Sequence, residues 1–149
     1  MPKAIIITLY IVYTAVLLYV SWTDIQTRRI PNHAVIPAIL LAMFAMRWTI
    51  GLPSALLGGV IAPLPLIAAR FLTGANKMGM GDIKLAIFVG LILGYQLALW
   101  GVALGLVLSL LFGFLGVARG KYTLQSKLPF GPFLAAGTLP LLLFLHLPL

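Results

Sequence analysis

Two aspartates are the only acidic residues in this chain of 149 amino acids, and they are the side chains best suited to chemistry. Asp24 follows a long apolar segment and Asp82 precedes another. Two carboxyl groups within a few ångströms of each other cannot both ionise easily, so the pair shares one proton. Such a pair activates water for peptide hydrolysis, because one acid accepts a proton from water and the other donates one to the substrate. The sequence predicts this chemistry if the fold brings Asp24 and Asp82 together.

Each aspartate taken alone also has a structural interpretation. Asp82 is suited to capping the start of a helix, and Asp24 to an interfacial loop. However, Asp24 stands where a helix is expected to end, and the helix dipole disfavours a carboxylate there. Asp82 ends the run GMGD at 79–82, whose two glycines allow close approach of another backbone. These features favour a functional role for the pair.

The composition indicates a membrane protein. Hydrophobic residues make up 62% of the chain and charged residues 8%, with a mean hydropathy of +1.15, whereas a soluble domain is about 25% charged. A lone water-soluble globule and a disordered chain are both excluded. Cysteine is absent and there are two histidines, so disulfides and Cys-ligated zinc are excluded. We expect neither a metal site nor a cofactor.

Six apolar segments must position the acids, and a membrane span needs about 20 apolar residues. The predicted fold is therefore all-α: a polytopic membrane helix bundle of about six transmembrane helices, forming a single domain over 1–149. The apolar segments are 4–23, 34–50, 54–72, 83–95, 97–118 and 128–147.

Prolines and glycines mark the breaks between and within these segments. Pro63 and Pro65 predict a kink in the third segment, and Gly94 predicts a tight turn between the fourth and the fifth. Asn32 is predicted to cap the second helix. Because two spans separate the end of the first segment from the start of the fourth, both acids are expected on the same side of the membrane.

The basic residues predict which side that is. The first segment is interpreted as a retained span rather than a cleaved signal, with the N-terminus outside. The loops that follow the first, third and fifth segments then share the cytoplasmic face and carry most of the positive charge, as the positive-inside rule expects. This pattern explains the net charge of +8 without nucleic acid as a partner. Eight basic residues lie on the predicted cytoplasmic side, against Lys3 and Arg47 opposite: Arg28, Arg29, Arg70, Lys77, Lys84, Arg119, Lys121 and Lys127.

Three motifs resemble those of a known family. Asp24 is followed by RIPN at 29–32, and the chain continues with GMGDIK at 79–84 and PFGPF at 129–133. These motifs resemble the type IV prepilin peptidases, GxGD-type aspartic proteases that also include archaeal preflagellin peptidases. The resemblance covers nearly the whole chain, in order.

The resemblance implies that Asp24 and Asp82 are catalytic. It implies cleavage of a short basic leader from prepilin-like precursors at the cytoplasmic face of the inner membrane. The chain is similar to the short, peptidase-only form of tight-adherence pili. Larger members carry a cysteine-containing cytoplasmic region and also methylate the new N-terminus, so methyltransferase activity is not expected here. The expected partners are the precursor and membrane lipids, and the oligomeric state is left open.

Residues around the acids are predicted to contact the substrate. The two glycines of GMGD would let an extended substrate backbone pair with the loop, or simply form a flexible turn. The lysine that follows would orient substrate or anchor the helix at the membrane surface. The PFGPF motif would form a broken-helix entrance beside the acids, or an ordinary helix start. The predicted contact residues are Gly79, Gly81, Lys84, Pro129, Phe130 and Gly131.

Two other functions remain open from the sequence. In a small proton-coupled transporter or channel subunit, the two acids would be proton-relay groups. Transporters tend to place such groups near the membrane midplane between repeats, whereas here both acids are predicted at the edge and no repeat is visible. The third hypothesis is a non-catalytic scaffold of a secretion machine, which would tolerate loss of both carboxylates.

Overall fold

A computed structural model describes residues 3–73, 79–121, 123 and 128–144, and within these ranges it contains helices and no strand. Three helices are long and apolar enough to cross a membrane: Lys3–Thr27, Leu52–Leu72 taken across its break, and Met80–Ala118. The protein is therefore an all-α polytopic membrane protein, as predicted. The helices are α1 Lys3–Thr27, α2 Asn32–Ala45, α3 Leu52–Ile61, α4 Leu64–Thr73, α5 Met80–Ala118 and α6 Gly131–Phe144.

α1 continues three residues beyond Asp24 and ends at Thr27. The next residue, Arg28, has a φ of 53°, the left-handed conformation that commonly terminates a helix. Pro31 occupies the N-cap position of α2 and makes no side-chain capping bond. The prediction that Asn32 caps this helix is wrong. Its side chain instead accepts a hydrogen bond from a distant lysine, described below.

Proline and glycine break the helices where the sequence predicts. α3 ends at Ile61 and α4 begins at Leu64, so Pro63 lies in the break, as a residue without an N–H and with a fixed φ requires. α5 is helical throughout except at Gly94, whose φ of 75° and ψ of 171° lie outside the helical region. The predicted interruption at Gly94 is therefore confirmed, and it divides α5 into a first arm (80–93) and a second arm (95–118).

The second arm of α5 runs antiparallel to α6. A Cβ added to Gly105 would lie 3.0 Å from Leu134 Cα, and one added to Gly113 would lie 2.8 Å from Leu128 Cδ1. Residue numbers thus rise along the arm while they fall along α6. These glycines allow the two helices to approach closely, which is the packing that membrane helices favour.

α6 also runs antiparallel to α1, and α1 to the first arm of α5. Leu142, near the end of α6, lines an apolar pocket with Tyr10 of α1, whereas Gly131, at the start of α6, contacts Asp24 near the end of α1. The Tyr13 and Phe88 rings pack edge to face, with centroids 5.6 Å apart, whereas Gly81 at the start of α5 lies against Ile30, just beyond the end of α1. These directions place both ends of α5, the end of α1 and the start of α6 at one end of the bundle, here called the aspartate end.

Candidate active site

Asp24 is buried at the aspartate end, in the last turn of α1. Its side chain is 4% exposed, and its Oδ2 accepts a hydrogen bond from the backbone N–H of Gly131 at 2.7 Å. A carboxylate at the C-terminal end of its own helix is unfavourably placed in the helix dipole. The N–H at the start of α6 offsets this, because a helix N-terminus stabilises negative charge.

The PFGPF motif forms the start of α6. The Phe130 carbonyl accepts the first helical hydrogen bond, from the Leu134 N–H at 3.0 Å. Phe130 is 7% exposed, and Pro129 beside it is half-buried. This arrangement matches the ordinary helix start considered from the sequence, and it brings the motif directly against Asp24.

Asp82 lies in the first turn of the first arm of α5 and is half-buried. Its Oδ2 accepts a hydrogen bond from the N–H of Gly79 at 3.1 Å, and Gly79 is the N-cap residue of α5. Asp82 thus serves as the third helical residue that bonds back to the N-cap N–H, not as the N-cap itself. Both acids therefore lie at the aspartate end, Asp24 in the last turn of α1 and Asp82 in the first turn of α5.

The α1–α2 turn is fastened to the start of α5 by two contacts. A Cβ on Gly81 would lie 2.6 Å from Ile30 Cβ, so only a glycine allows the isoleucine to pack there. The Lys84 Nζ donates a hydrogen bond to Asn32 Oδ1 at 3.0 Å. The RIPN and GMGDIK motifs therefore meet in space, one following Asp24 and the other containing Asp82.

Sequence reasoning missed the partners in these contacts. Ile30 and Asn32 were not predicted as site residues, although both belong to the RIPN motif. The signal that could have found them is the pairing of motifs: a glycine and a lysine flank one acid, and a branched apolar residue and an amide follow the other. In the parts of the chain that the structure describes, no group of three or more His, Cys, Asp or Glu side chains could hold a metal ion.

Comparison with known sequences identifies the family. The sequence profile described as the type IV leader peptidase family matches residues 11–117, which include both aspartates. The chain belongs to the type IV leader peptidase family. Membership of this peptidase family does not favour the transporter or channel alternative.

Curated relatives in the type IV leader peptidase family are named prepilin leader peptidase/N-methyltransferase. The protein of Burkholderia pseudomallei (strain 1026b) is 31% identical over 136 residues, covering 87% of this chain and 44% of the relative. That of Bacillus subtilis (strain 168) is 31% identical over 135 residues, covering 87% and 52%. That of Pseudomonas aeruginosa is 29% identical over 133 residues, covering 85% and 46%. The chain thus spans about half the length of these relatives, and no solved structure matches it significantly.

Proposed function

We propose that this chain is a membrane aspartic endopeptidase that removes the leader peptide from type IV prepilin-like precursors. The observation that supports it most is that Asp24 and Asp82, the only two carboxylic side chains of the sequence, lie at the same end of the bundle. They come from helices far apart in the chain, and the segments beside them are in contact, Ile30 with Gly81 and Asn32 with Lys84. Membership of the leader peptidase family supports the substrate class.

In the proposed mechanism, the two acids share one proton and hold a water molecule between them. The ionised acid accepts a proton from the water as its oxygen attacks the scissile carbonyl. The protonated acid donates its proton to the carbonyl oxygen. When the tetrahedral intermediate collapses and the C–N bond breaks, the acid that took the proton from water gives it to the departing amine. The other acid recovers its proton from a hydroxyl of the intermediate, so the pair again holds one proton. Neither a nucleophilic serine nor a metal is required.

We place this site at the cytoplasmic face of the inner membrane, with the N-terminus of the chain outside. The support is the positive-inside rule applied to the basic residues that flank helix ends, most of them at the aspartate end. Lys77 and Lys127 of the predicted set lie outside the described residues. The others follow α1, end α4, begin α5 or follow α5: Arg28, Arg29, Arg70, Lys84, Arg119 and Lys121.

We propose that the precursor backbone contacts the residues around the acids. Gly79 is exposed beside Asp82, and Pro129 is half-buried on the Asp24 side, so an extended peptide that reaches both acids passes these two positions. Gly81, Lys84, Phe130 and Gly131 complete the proposed set of contact residues. The apolar stem of the precursor would lie in the surrounding lipid, which is the second proposed partner.

Co-expression of the chain with a prepilin-like precursor tests the proposal. Asp24→Asn and Asp82→Asn should each abolish processing, because an amide can neither accept the proton from water nor donate one as an acid. Thr23→Val is a matched control, since this half-buried neighbour bonds only carbonyls of its own helix turn among the contacts described.

Mass spectrometry of the precursor detects both leader cleavage and N-methylation, the two activities named for the relatives. The expected product of the wild-type chain is a shortened precursor with an unmodified N-terminus. Processing by either Asn variant at the wild-type rate would reject the aspartic mechanism. An added methyl group on the product would show that the chain also methylates.

A further inference from the structure

We propose that Gly131 is a positioning residue, whose backbone N–H and missing side chain fix the Asp24 carboxyl in its catalytic orientation. This inference rests on the proposed function, since it assigns how one of the two proposed catalytic acids is held. It differs from a substrate-contact role, because the only partner it requires is Asp24 of the same chain. The two residues are 107 positions apart and share a buried hydrogen bond of 2.7 Å.

The electrostatic need for such a partner follows from where Asp24 lies. It is almost fully buried and near the C-terminal end of α1, where both desolvation and the helix dipole disfavour a carboxylate. A buried carboxylate requires donors that stay in place. The N–H at the start of α6 is such a donor, because backbone held in a helix cannot rotate away as a long basic side chain can.

At the start of α6, the Gly131 N–H is the backbone donor available to Asp24. Phe130 supplies the N-cap carbonyl, so Gly131 is the first helical residue. Pro132 follows it and has no N–H to offer. Of these first two helical residues, only Gly131 can donate, and its donor is committed to Asp24 Oδ2.

The missing side chain is equally required. A Cβ on Gly131 would lie 2.9 Å from Asp24 Oδ2, 3.2 Å from its Cβ and 3.4 Å from its Cγ. Any side chain at 131 therefore pushes the whole carboxyl group away from the N–H that orients it. By contrast, a Cβ on Gly101, elsewhere in the contact between α5 and α6, would meet its nearest neighbours at 3.5 Å, an ordinary packing distance.

Gly131→Ala and Gly101→Ala form the test pair in the full chain, assayed with the prepilin-like precursor. Because misplacing a catalytic group by about 1 Å costs roughly 100-fold, Gly131→Ala should lower kcat by about 10- to 100-fold with KM little changed. Its pH profile of kcat/KM should also be displaced, by about one pH unit. Gly101→Ala should match the wild type in both. A Gly131→Ala enzyme with wild-type kcat and an unchanged pH profile would overturn the proposal.

A thermal comparison tests the same contact without using activity. The amide oxygen introduced by Asp24→Asn can still accept from the Gly131 N–H, whereas Asp24→Ala leaves that N–H without its acceptor. Asp24→Ala should therefore melt about 1–8 °C below Asp24→Asn, as the loss of a helix cap predicts. Equal melting temperatures would overturn the positioning role, even if Gly131→Ala fails to fold. If the wild type processes no precursor, the proposed function fails, and this comparison still decides whether Asp24 is held by α6.

Discussion

Replacing Gly81 by alanine is the sharpest test of how the two acid-bearing motifs fit together. The new Cβ would lie 2.6 Å from Ile30 Cβ, about 1 Å short of the 3.5–4.0 Å at which carbon atoms pack. Ile30 Cβ is attached to the backbone, so no rotamer change relieves the overlap and the α1–α2 turn itself must move. Overpacking of this kind costs about 1–3 kcal/mol, or about 2–12 °C in melting temperature for a chain of this size. Asp82 is the next residue, so we also expect a loss of processing of tenfold or more.

Melting in detergent and precursor processing by the same preparation provide the assay. Gly79→Ala is the matched control for melting, since its Cβ would meet Asp82 Oδ2 at 3.3 Å and its φ of −73° suits alanine. It should cost less than about 1 kcal/mol, the difference between glycine and alanine at a helix N-cap. If Gly81→Ala melts and processes precursor as the wild type does, the tight contact with Ile30 is refuted.

Three further predictions concern the aspartate end and the turn between the two arms of α5. Asp82→Asn should abolish processing yet melt above Asp82→Ala, because its amide oxygen still accepts from the helix start; equal melting would contradict this. Lys84→Met and Asn32→Ala should be coupled by about 0.5–1 kcal/mol in a double-mutant cycle, and additive effects would exclude the hydrogen bond. Gly94→Ala should destabilise the protein by at least about 1–3 kcal/mol, the cost of a backbone conformation almost restricted to glycine, as judged by melting against Gly101→Ala.

The helices of the fold could be predicted because their causes are local. Apolar length predicts the spans, a residue without an N–H predicts the break at Pro63, and a residue free to take positive φ predicts the reversal at Gly94. The position of Asp24 and Asp82 at one end of the bundle follows from counting the apolar segments between them. The end of α1 is harder to predict, because the helix continues to Thr27 and the residue that ends it in the left-handed conformation is Arg28, where no glycine signals the turn.

The partners within the site could not be predicted because they depend on tertiary packing. A capping residue is recognised from its neighbours in sequence, which is why the sequence predicts Asn32 as the cap of α2 and not as the partner of Lys84, 52 residues away. The bond from Gly131 to Asp24 spans 107 residues. Its sequence signal, a glycine between an aromatic residue and a proline, is equally consistent with an ordinary helix start.

Both acids accept a hydrogen bond from the same kind of donor, which gives a reason for the glycines beside them. In each case a glycine N–H at the start of a helix donates to Oδ2: Gly131 to Asp24 and Gly79 to Asp82. A lysine or arginine in either place would bring a positive charge beside two groups that share one proton in the proposed mechanism. It would also fill space that a peptide needs to reach both acids. Backbone donors orient the carboxyl groups without adding a positive charge or filling that space. The glycines are therefore best understood as supporting the proposed dyad rather than as flexible turns.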